Sequence, residues 1–397
     1  MFLSRPPILI QFFFMLNRRL LRIKAMQHLY AYQRCQRANY ELAFDYVRDA
    51  FLPDLNSMET PDLEQLARQR EQASALLKER LEGKFTVGAL DPEVKSVADD
   101  ALRQYETQCR KDQTFLRNQM VARTERLDEY HKLLLLLLVT IAEEAERERR
   151  KKSNSTDDAD PLPLTHNRLV SAIRENADLR HAVEQQKLSW EAYRDEVRQL
   201  YKNAVRNDPQ YWAYQHLDNP TEEEDTEVVR HLFSKLIMKS EPIMAIFEEK
   251  DINWEENRKI VKSLVVRTLK SFDGERIDVA TLTPNWEDDR AYFEKLYDET
   301  LRNDEEYEHM LSNKSKNWAV ERIASLDNII LKMAIAEMIH FSSIPVKVTI
   351  NEYVDISKQY STEKSKQFVN GMLDTISKEL LERQVIRKSG RGLLDNQ

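Results

Sequence analysis

The chain has 397 residues and a formal net charge of −8 at pH 7, with 41% hydrophobic and 32% charged residues. This balance excludes general disorder and fits long amphipathic helices with solvated outer faces. Only six glycines occur, which leaves few positions suited to left-handed turns or strand hairpins. The sequence therefore predicts an all-α protein that is long enough for two domains.

The first segment, "MFLSRPPILIQFFF", differs from the rest of the chain. It has Arg5 before an apolar run, as a secretory signal does, but it contains Pro6 and Pro7 and lacks a small-residue cleavage site. We expect residues 1–14 to be a non-native or disordered leader, with Met15 as the true start. The two cysteines form no disulfide framework, and no apolar run reaches the roughly 18 residues of a membrane span. We therefore expect a cytoplasmic protein without a membrane segment.

Basic residues are concentrated near the start of the chain. No Asp or Glu precedes Glu41, whereas Arg18, Arg19, Arg22 and Lys24 lie within seven positions. If this stretch is helical, Arg18 and Arg22 lie one turn apart and can both address one phosphate backbone. A solvated charge run, or a membrane-surface anchor formed with the upstream phenylalanines, is the alternative.

Apolar residues at helical spacing continue along most of the chain. Thr60 followed by Pro61 predicts a helix start, and Thr221 with Glu224 has the spacing of a capping box. Six consecutive leucines at 133–138 indicate a helical section that is buried on every side. The predicted helices cover the ranges 20–52 (one helix or two), 61–82, 91–152 (one helix or a pair), 164–184, 189–206, 222–239 and 242–249.

The polar stretch "KKSNSTDDADP" is the best candidate for a linker between helical regions. The predicted organisation is a leader at 1–14, an N-terminal helical region with a basic start at 15–150, a linker or loop at 151–163, a central helical insertion at 164–250, a C-terminal helical bundle at 251–383 and a flexible tail at 384–397.

The dipeptide Asn-Trp begins at positions 253, 285 and 317, with a spacing of 32 residues each time. A period of this length is typical of helical solenoids. The segments after the dipeptide align poorly, however, and Asn is an ordinary N-cap. The sequence favours coincident helix starts and leaves a repeat array as the alternative.

Catalytic and cofactor-binding motifs are missing from the sequence. The six glycines form neither GxGxxG nor GxxxxGK, the eight histidines form no HExxH or HxxxH pair, and GxSxG is absent. Acid pairs are abundant, but on helices this charged they are more often solvated faces than acid and base catalysts. We expect no enzyme, no cofactor and no metal site.

The end of the chain predicts three successive helices. Asp327 is suited to cap the first, which should end near "SSIP", because Pro345 disfavours helical geometry at Ile344. The next two are predicted at about 348–359 and 365–383.

Two segments resemble the bacterial transcription antitermination factor NusB family. They are "NRRLLRIKAMQHLYAYQ" at 17–33 and "LDNIILKMAIAEMIHFSSIPVKVTINEYVDISKQYSTEKSKQFVNGMLDTI" at 326–376. The order of an aliphatic helix, "IPVKVTINEYV" and "EKSKQFVNGMLD" carries most of the resemblance. It implies NusB-like helical bundles, with 251–383 as the NusB-like part. Residues 34–316 depart from the compact pattern, which resembles an enlarged form with an expanded N-terminal and central region.

The resemblance implies an RNA-binding transcription antitermination factor. Such a protein would act with NusE, a small-subunit ribosomal protein, on boxA-type RNA in ribosomal-RNA leader transcripts. It would keep the RNA polymerase elongation complex resistant to termination. RNA affinity would come largely from cations that meet phosphates, and register from bases stacked on aromatic rings.

Residue types and resemblance together predict one RNA-binding set and one partner-binding pair. The RNA-binding set is Arg18, Arg19, Arg22, Lys24, Gln27, Tyr30, Lys332, Lys364, Lys366 and Phe368. The partner-binding pair, for NusE, is Asp327 and Asn328. Tyr30 and Phe368 also fit a core by their period, Lys364 also fits an ordinary exposed lysine, and Asp327 also fits a helix cap.

Two other functions stay open. One is a helical scaffold that binds only proteins, which would lose nothing on neutralisation of the arginines near the start. The other is the RNA-recruiting domain of a ribosomal-RNA methyltransferase, although that enzyme needs a glycine-rich cofactor loop that the sequence lacks.

Overall fold

The computed structural model describes residues 18–53, 61–84, 91–152, 164–314 and 325–393. These residues form fifteen α-helices and no strand, which confirms the all-α class. The helices are α1 (Arg18–Ala50), α2 (Leu63–Leu81), α3 (Pro92–Lys152), α4 (Arg168–Glu175), α5 (Ala177–Gln186), α6 (Arg194–Leu200), α7 (Pro209–Gln215), α8 (Glu222–His231), α9 (Glu241–Lys250), α10 (Trp254–Lys270), α11 (Trp286–Arg302), α12 (Asp304–Lys314), α13 (Ser325–His340), α14 (Val346–Tyr360) and α15 (Glu363–Glu382).

Several sequence predictions fall outside the described residues. They are the leader at 1–14, Met15 as the start, Thr60 as a cap, the linker beyond Lys152, the third Asn-Trp dipeptide and the last four residues of the predicted tail. In the described part of the chain, no helix is both long enough and apolar enough to cross a membrane.

The first three helices are long and unbroken. The range 20–52 forms one helix of 33 residues, and the range 91–152 forms one helix of 61 residues, which corresponds to about 90 Å. The start of α2 is capped by Asp62, whose carboxylate accepts hydrogen bonds from the backbone N–H groups of Glu64 and Gln65. The cap therefore lies closer to α2 than the predicted Thr60.

Helix starts in the middle of the chain agree with the predicted chemistry. Thr221 and Glu224 form a complete capping box at the start of α8. Asn253 and Asn285 each immediately precede a helix, α10 and α11, so both described Asn-Trp dipeptides are helix starts. Asn285 accepts a hydrogen bond from the backbone of its own first turn, whereas Asn253 makes no side-chain cap bond.

The chain divides into two compact units. We call Ala122–Asp289, which groups with Arg18, the central unit, and we call Arg19–Val121 with Arg290–Gln397 the terminal unit. The division passes through α3 and α11, so neither unit coincides with the contiguous ranges expected from linker composition.

The core of the central unit contains the leucine run and an aromatic cluster. Four of the six leucines, along with Val139, are buried, while Leu133 and Leu136 are half-buried. Phe247 stacks on Trp254 at 4.5 Å between ring centroids. The remaining rings of the cluster, Tyr130 and Trp190, meet them edge-on. The first Asn-Trp dipeptide thus supplies a core residue as well as a helix start.

In the terminal unit, α13, α14 and α15 pack together around buried aliphatic side chains. Helix α1 runs antiparallel to α13, because Arg22 meets Glu337 near the end of α13 while Gln33 meets Ser325 at its start. The second half of α1 packs with α2 and the beginning of α3 around Val47, among others. The start of α1 is thereby fixed beside the last three helices.

Candidate nucleic-acid interface

Arg19 joins the start of α1 to α14 through two carboxylates. Its Nε and one terminal nitrogen donate to the two oxygens of Glu352 at 2.8 and 2.9 Å, and the same terminal nitrogen donates to Asp355 at 2.8 Å. The hydrogen bond with Glu352 raises the pKa of Arg19 above its usual value. The side chain remains 40% exposed, so a phosphate could approach it from solvent.

Arg22 is buried in a polar network. Its guanidinium donates to both oxygens of Glu337 at 2.8 and 2.7 Å, and the two side chains are 3% and 0% exposed. The Glu337 carboxylate also accepts from the hydroxyls of Tyr292, Thr349 and Tyr353. Burial opposes both charges, but their mutual attraction outweighs it, so the pKa of Arg22 is raised and that of Glu337 is lowered. This geometry holds α1, α11, α13 and α14 together.

The other predicted positions in the first turns of α1 differ in exposure. Arg18 is exposed and forms a loose ion pair with Asp289 at 3.8 Å. Lys24 is buried, and Gln27 is half-buried. Of the four clustered cations, only Arg18 and Arg19 therefore offer charge to solvent.

Tyr30 lies on the surface and is partly exposed. Its ring is 36% exposed, and the Arg34 guanidinium lies 4.7 Å from the ring centroid while donating to the Tyr30 hydroxyl at 2.8 Å. The pair combines a π-face with a cation, the combination that stacks single-stranded bases.

Lys332 and the predicted partner-binding residue Asn328 make intramolecular contacts. Lys332 is buried and donates to Asp304 at 2.6 Å and to Glu308 at 2.9 Å. Asn328 donates to the same Glu308 at 2.8 Å and remains half-buried. Partial desolvation opposes the charge of Glu308, but the pKa of Glu308 is lowered because Asn328 and Lys332 hydrogen-bond to it. Lys332 thus neutralises acids of α12 in this conformation.

Asp327 lies in the first turn of α13, which begins three residues earlier than a helix capped by Asp327 would. It is buried, and its Oδ2 accepts a hydrogen bond of 2.6 Å from the Ser365 hydroxyl of α15. Asp327 therefore joins the starts of α13 and α15. It does not occupy the predicted N-cap position, and its side chain is not exposed for a partner contact in this conformation.

The start of α15 presents the exposed cations of the C-terminal segment. Lys364 and Lys366 are both exposed, and neither forms an ion pair with a residue that the structure describes. Phe368, one turn further on, is half-buried. Its exposure lies between that of a core residue and that of an exposed stacking ring, the two alternatives predicted for it. The residues of α14 that hold Arg19 lie within about two turns of the end of α14, from which α15 follows after a short connection.

The acids that hold the predicted arginines are not among the residues predicted from sequence. Glu337 is the one acid in the apolar run "IILKMAIAEMIH", and a single carboxylate among buried side chains requires a cation. Arg22 falls on nearly the same side of α1 as the buried Leu29, which points to the interior. Those two signals could have identified the pair.

Known proteins match the C-terminal part of the chain. Residues 268–378 match a family model described as the NusB family. The matched residues, which we call the NusB-family region, include all of α13 and α14 and most of α15. The predicted resemblance of 326–376 is thereby confirmed, whereas the basic segment at 17–33 lies outside the matched residues.

Three curated relatives each match about a fifth of the chain. The chain is 42% identical over 91 residues to the transcription antitermination protein NusB of Chloroherpeton thalassium, which covers 23% of this chain and 43% of that relative. NusB of Salinibacter ruber is 39% identical over 90 residues, which make up 23% of this chain and 56% of that relative. NusB of Enterococcus faecalis is 41% identical over 76 residues, which make up 19% of this chain and 49% of that relative. The chain spans about half the length of the curated relatives it matches.

No solved structure matches the chain. Among the described residues, no group of three or more His, Cys, Asp or Glu side chains is arranged to hold a metal ion. The chemistry that the NusB-family region and α1 do offer is a set of exposed cations, an exposed ring at Tyr30 and a half-buried ring at Phe368.

Proposed function

We propose that the protein is a non-enzymatic, RNA-binding transcription antitermination factor. It acts in the cytoplasm with NusE on boxA-type RNA in ribosomal-RNA leader transcripts, and the assembly keeps the RNA polymerase elongation complex resistant to termination. The observation that carries the proposal is the NusB-family match at 268–378, inside which the exposed Lys364 and Lys366 begin α15.

Within this proposal the RNA contacts divide into exposed and buried residues. Lys364 and Lys366 meet phosphates directly, because their ammonium groups are in solvent and free of described ion pairs. Arg18 and Arg19 add charge from the start of α1, which the Arg22–Glu337 pair holds in place. Tyr30 with Arg34, and the edge of Phe368, supply surfaces on which bases can stack.

The buried cations have a supporting role in the proposal. A phosphate that displaced Glu337 from Arg22 would leave a buried acid uncompensated. Lys332 is itself buried and already paired with Asp304 and Glu308. We therefore assign Arg22, Lys24 and Lys332 to the positioning of α1 and α13, with no direct phosphate contact.

A titration of labelled boxA-type RNA tests the proposal. Lys364→Ala/Lys366→Ala should weaken binding and reduce the slope of log affinity against log salt by about 0.7 for each phosphate interaction that the substitutions remove. The matched control is Lys259→Ala/Lys262→Ala, which removes two exposed lysines from α10, outside the NusB-family region. It should bind RNA as the wild type does.

The same titration separates the proposal from the scaffold alternative. A scaffold that binds only proteins would show no RNA affinity, or an affinity and salt slope equal in both double variants. Either result would remove the RNA-binding assignment.

The NusE surface is proposed at the exposed side of α13 and the neighbouring α12. Asn328 and Glu308 lie there together, and the acids of α12 would complement a basic ribosomal protein. Glu305→Gln/Glu306→Gln removes two exposed acids of α12 and should slow association with NusE at low salt. An unchanged association rate would place the partner elsewhere.

A further inference from the structure

A recess between α1 and α3 lies outside the NusB-family region. Its volume is about 690 Å³, and it is bordered by Asn39, Leu42 and Tyr46 on α1 and by Arg103, Tyr105 and Lys111 on α3, among others. A second, more open recess of about 510 Å³ continues along α3 to Phe115 and Asn118. Thr107 and Lys111 border both, so the two recesses form one groove, which lies within the terminal unit.

The α3 side of this groove is positive in a protein of net negative charge. Lys111 forms no ion pair with any described residue, and Arg110 makes only a loose pair with Glu106 at 3.9 Å. Among the side chains that border the groove, the three cations outnumber the single acid, Asp100, which pairs with Arg103. Asp112 keeps its charge but does not border the groove, and it accepts hydrogen bonds from Asn39 at 2.7 Å and from Gln108 at 3.0 Å. The groove therefore attracts anions.

Aromatic and amide groups accompany these cations. The ring of Phe115 is 60% exposed on the α3 surface, and the rings of Tyr46 and Tyr105 border the deeper recess. Gln104 and Asn118 provide hydrogen-bond donors and acceptors along the same helix. A positive groove with exposed rings and amides is the arrangement that binds single-stranded nucleic acid, because every base can stack and every phosphate carries charge.

We propose that the α1–α3 groove is a second binding site, which takes single-stranded RNA without strict sequence preference. Arg110 and Lys111 meet the backbone phosphates, and Phe115 stacks a base. The site extends the proposed function by a second RNA contact on the same protein. Its residues are separate from those at the start of α15, so the two assignments can fail independently.

A titration of a short labelled oligouridylate against the full chain tests the groove. Phe115→Ala should weaken binding about tenfold through the loss of stacking. Arg110→Ala/Lys111→Ala should reduce the salt slope by about 0.7 for each phosphate interaction that is removed. All three side chains are exposed, so circular dichroism and thermal melting should match the wild type.

Matched controls exist elsewhere on the chain. Trp212→Ala removes an aromatic ring that is also 60% exposed, from the central unit, and should leave oligouridylate binding unchanged. Photocrosslinking with thiouridine in the oligouridylate, followed by mass spectrometry, should modify peptides from 103–118.

The outcomes distinguish the groove from the boxA function. If the groove variants bind oligouridylate as the wild type does, or crosslinks fall outside 103–118, the groove assignment is overturned and α3 is left as a surface for a protein partner. If the groove variants lose oligouridylate while Lys364→Ala/Lys366→Ala binds boxA-type RNA normally, the groove stands and the boxA assignment fails.

Discussion

Arg22 and Glu337, which are separated by more than 300 residues in sequence, form a buried pair with two hydrogen bonds of 2.8 and 2.7 Å. The carboxylate also accepts hydroxyl hydrogen bonds from Tyr292, Thr349 and Tyr353, so both of its oxygens are satisfied. A buried charge that is fully hydrogen-bonded is tolerated, and one that loses its partner is costly. This pair explains how α1 is held against the NusB-family region.

Replacement of the arginine alone should be strongly destabilising. Arg22→Met leaves Glu337 charged, buried and without its cation, and we expect the free energy of unfolding to fall by about 3–5 kcal/mol. Urea denaturation of the full chain measures the change. Arg37→Met, which removes an exposed arginine paired with Glu41 at 3.4 Å, should cost at most about 0.5 kcal/mol. Equal effects of the two substitutions would contradict a structural role for the buried pair.

Much of the fold could be predicted from sequence because its helices are long and strongly periodic. The three C-terminal helices, α13 to α15, begin and end within about three residues of expectation, since proline, capping side chains and apolar stripes all act locally. Periodicity leaves α3 open as one helix or two, because it does not show whether a long stretch breaks.

The site could be predicted only in part. Lys364 and Lys366 are exposed, as polar residues at a helix start usually are. Their exposure agrees with the predicted interface. Arg22 and Lys332 are also basic, but both are buried against acids that are distant in sequence. Such pairings depend on how helices pack, which one sequence does not disclose.

The division into units is also invisible to sequence analysis. Composition places a boundary at the polar stretch 151–163, whereas the compact units divide within α3 after Val121 and within α11 after Asp289. A helix that contributes to two cores shows no change of composition at the division, so nothing local marks it.

Stability should depend on pH through His131. This ring is buried, and its Nε2 lies 2.9 Å from the Thr268 hydroxyl. Burial lowers its pKa to about 3, and the nearby charges of Lys132 and Arg267 act in the same direction. The unfolded chain takes up a proton near the usual pKa of about 6.5, and the folded chain does not. Stability should therefore fall as pH decreases below about 6.5, by at most about 1.4 kcal/mol per pH unit from this site.

Urea denaturation at several pH values between about 5 and 7 measures the dependence. His131→Gln should flatten it, although His340, whose pKa is also lowered by burial, preserves a part. His309→Gln changes an exposed ring and should leave the slope as it is. A slope that survives His131→Gln unchanged would show that other groups set the dependence.

Ser365 should matter more than its size suggests. Its hydroxyl donates to the buried Asp327 at 2.6 Å, and its oxygen accepts from the backbone N–H of Thr362 at the start of α15. Ser365→Ala removes both contacts, and we expect a loss of about 1–3 kcal/mol because a buried carboxylate oxygen loses its donor. Thermal unfolding monitored by circular dichroism provides the measurement. Ser312→Ala, at an exposed serine of α12, is the control and should shift the transition little.

Asp355 should restrain the RNA affinity of Arg19. Its carboxylate, 51% exposed, accepts a 2.8 Å hydrogen bond from the Arg19 nitrogen that a phosphate would otherwise engage. Asp355→Asn removes this competing charge, while Glu352 still holds the guanidinium with two hydrogen bonds. We expect boxA-type RNA to bind about threefold more tightly at low salt, as suits an exposed ion pair worth less than about 1 kcal/mol. The gain should shrink as salt rises.

A double-mutant cycle isolates the Arg19 contribution from the general loss of negative charge. In an Arg19→Ala background, Asp355→Asn should give no further gain, because the cation that it releases is absent. A gain of the same size in both backgrounds would show that the carboxylate repels RNA by itself. Weaker binding by Asp355→Asn alone would mean that the carboxylate orients Arg19 towards RNA and does not compete for it.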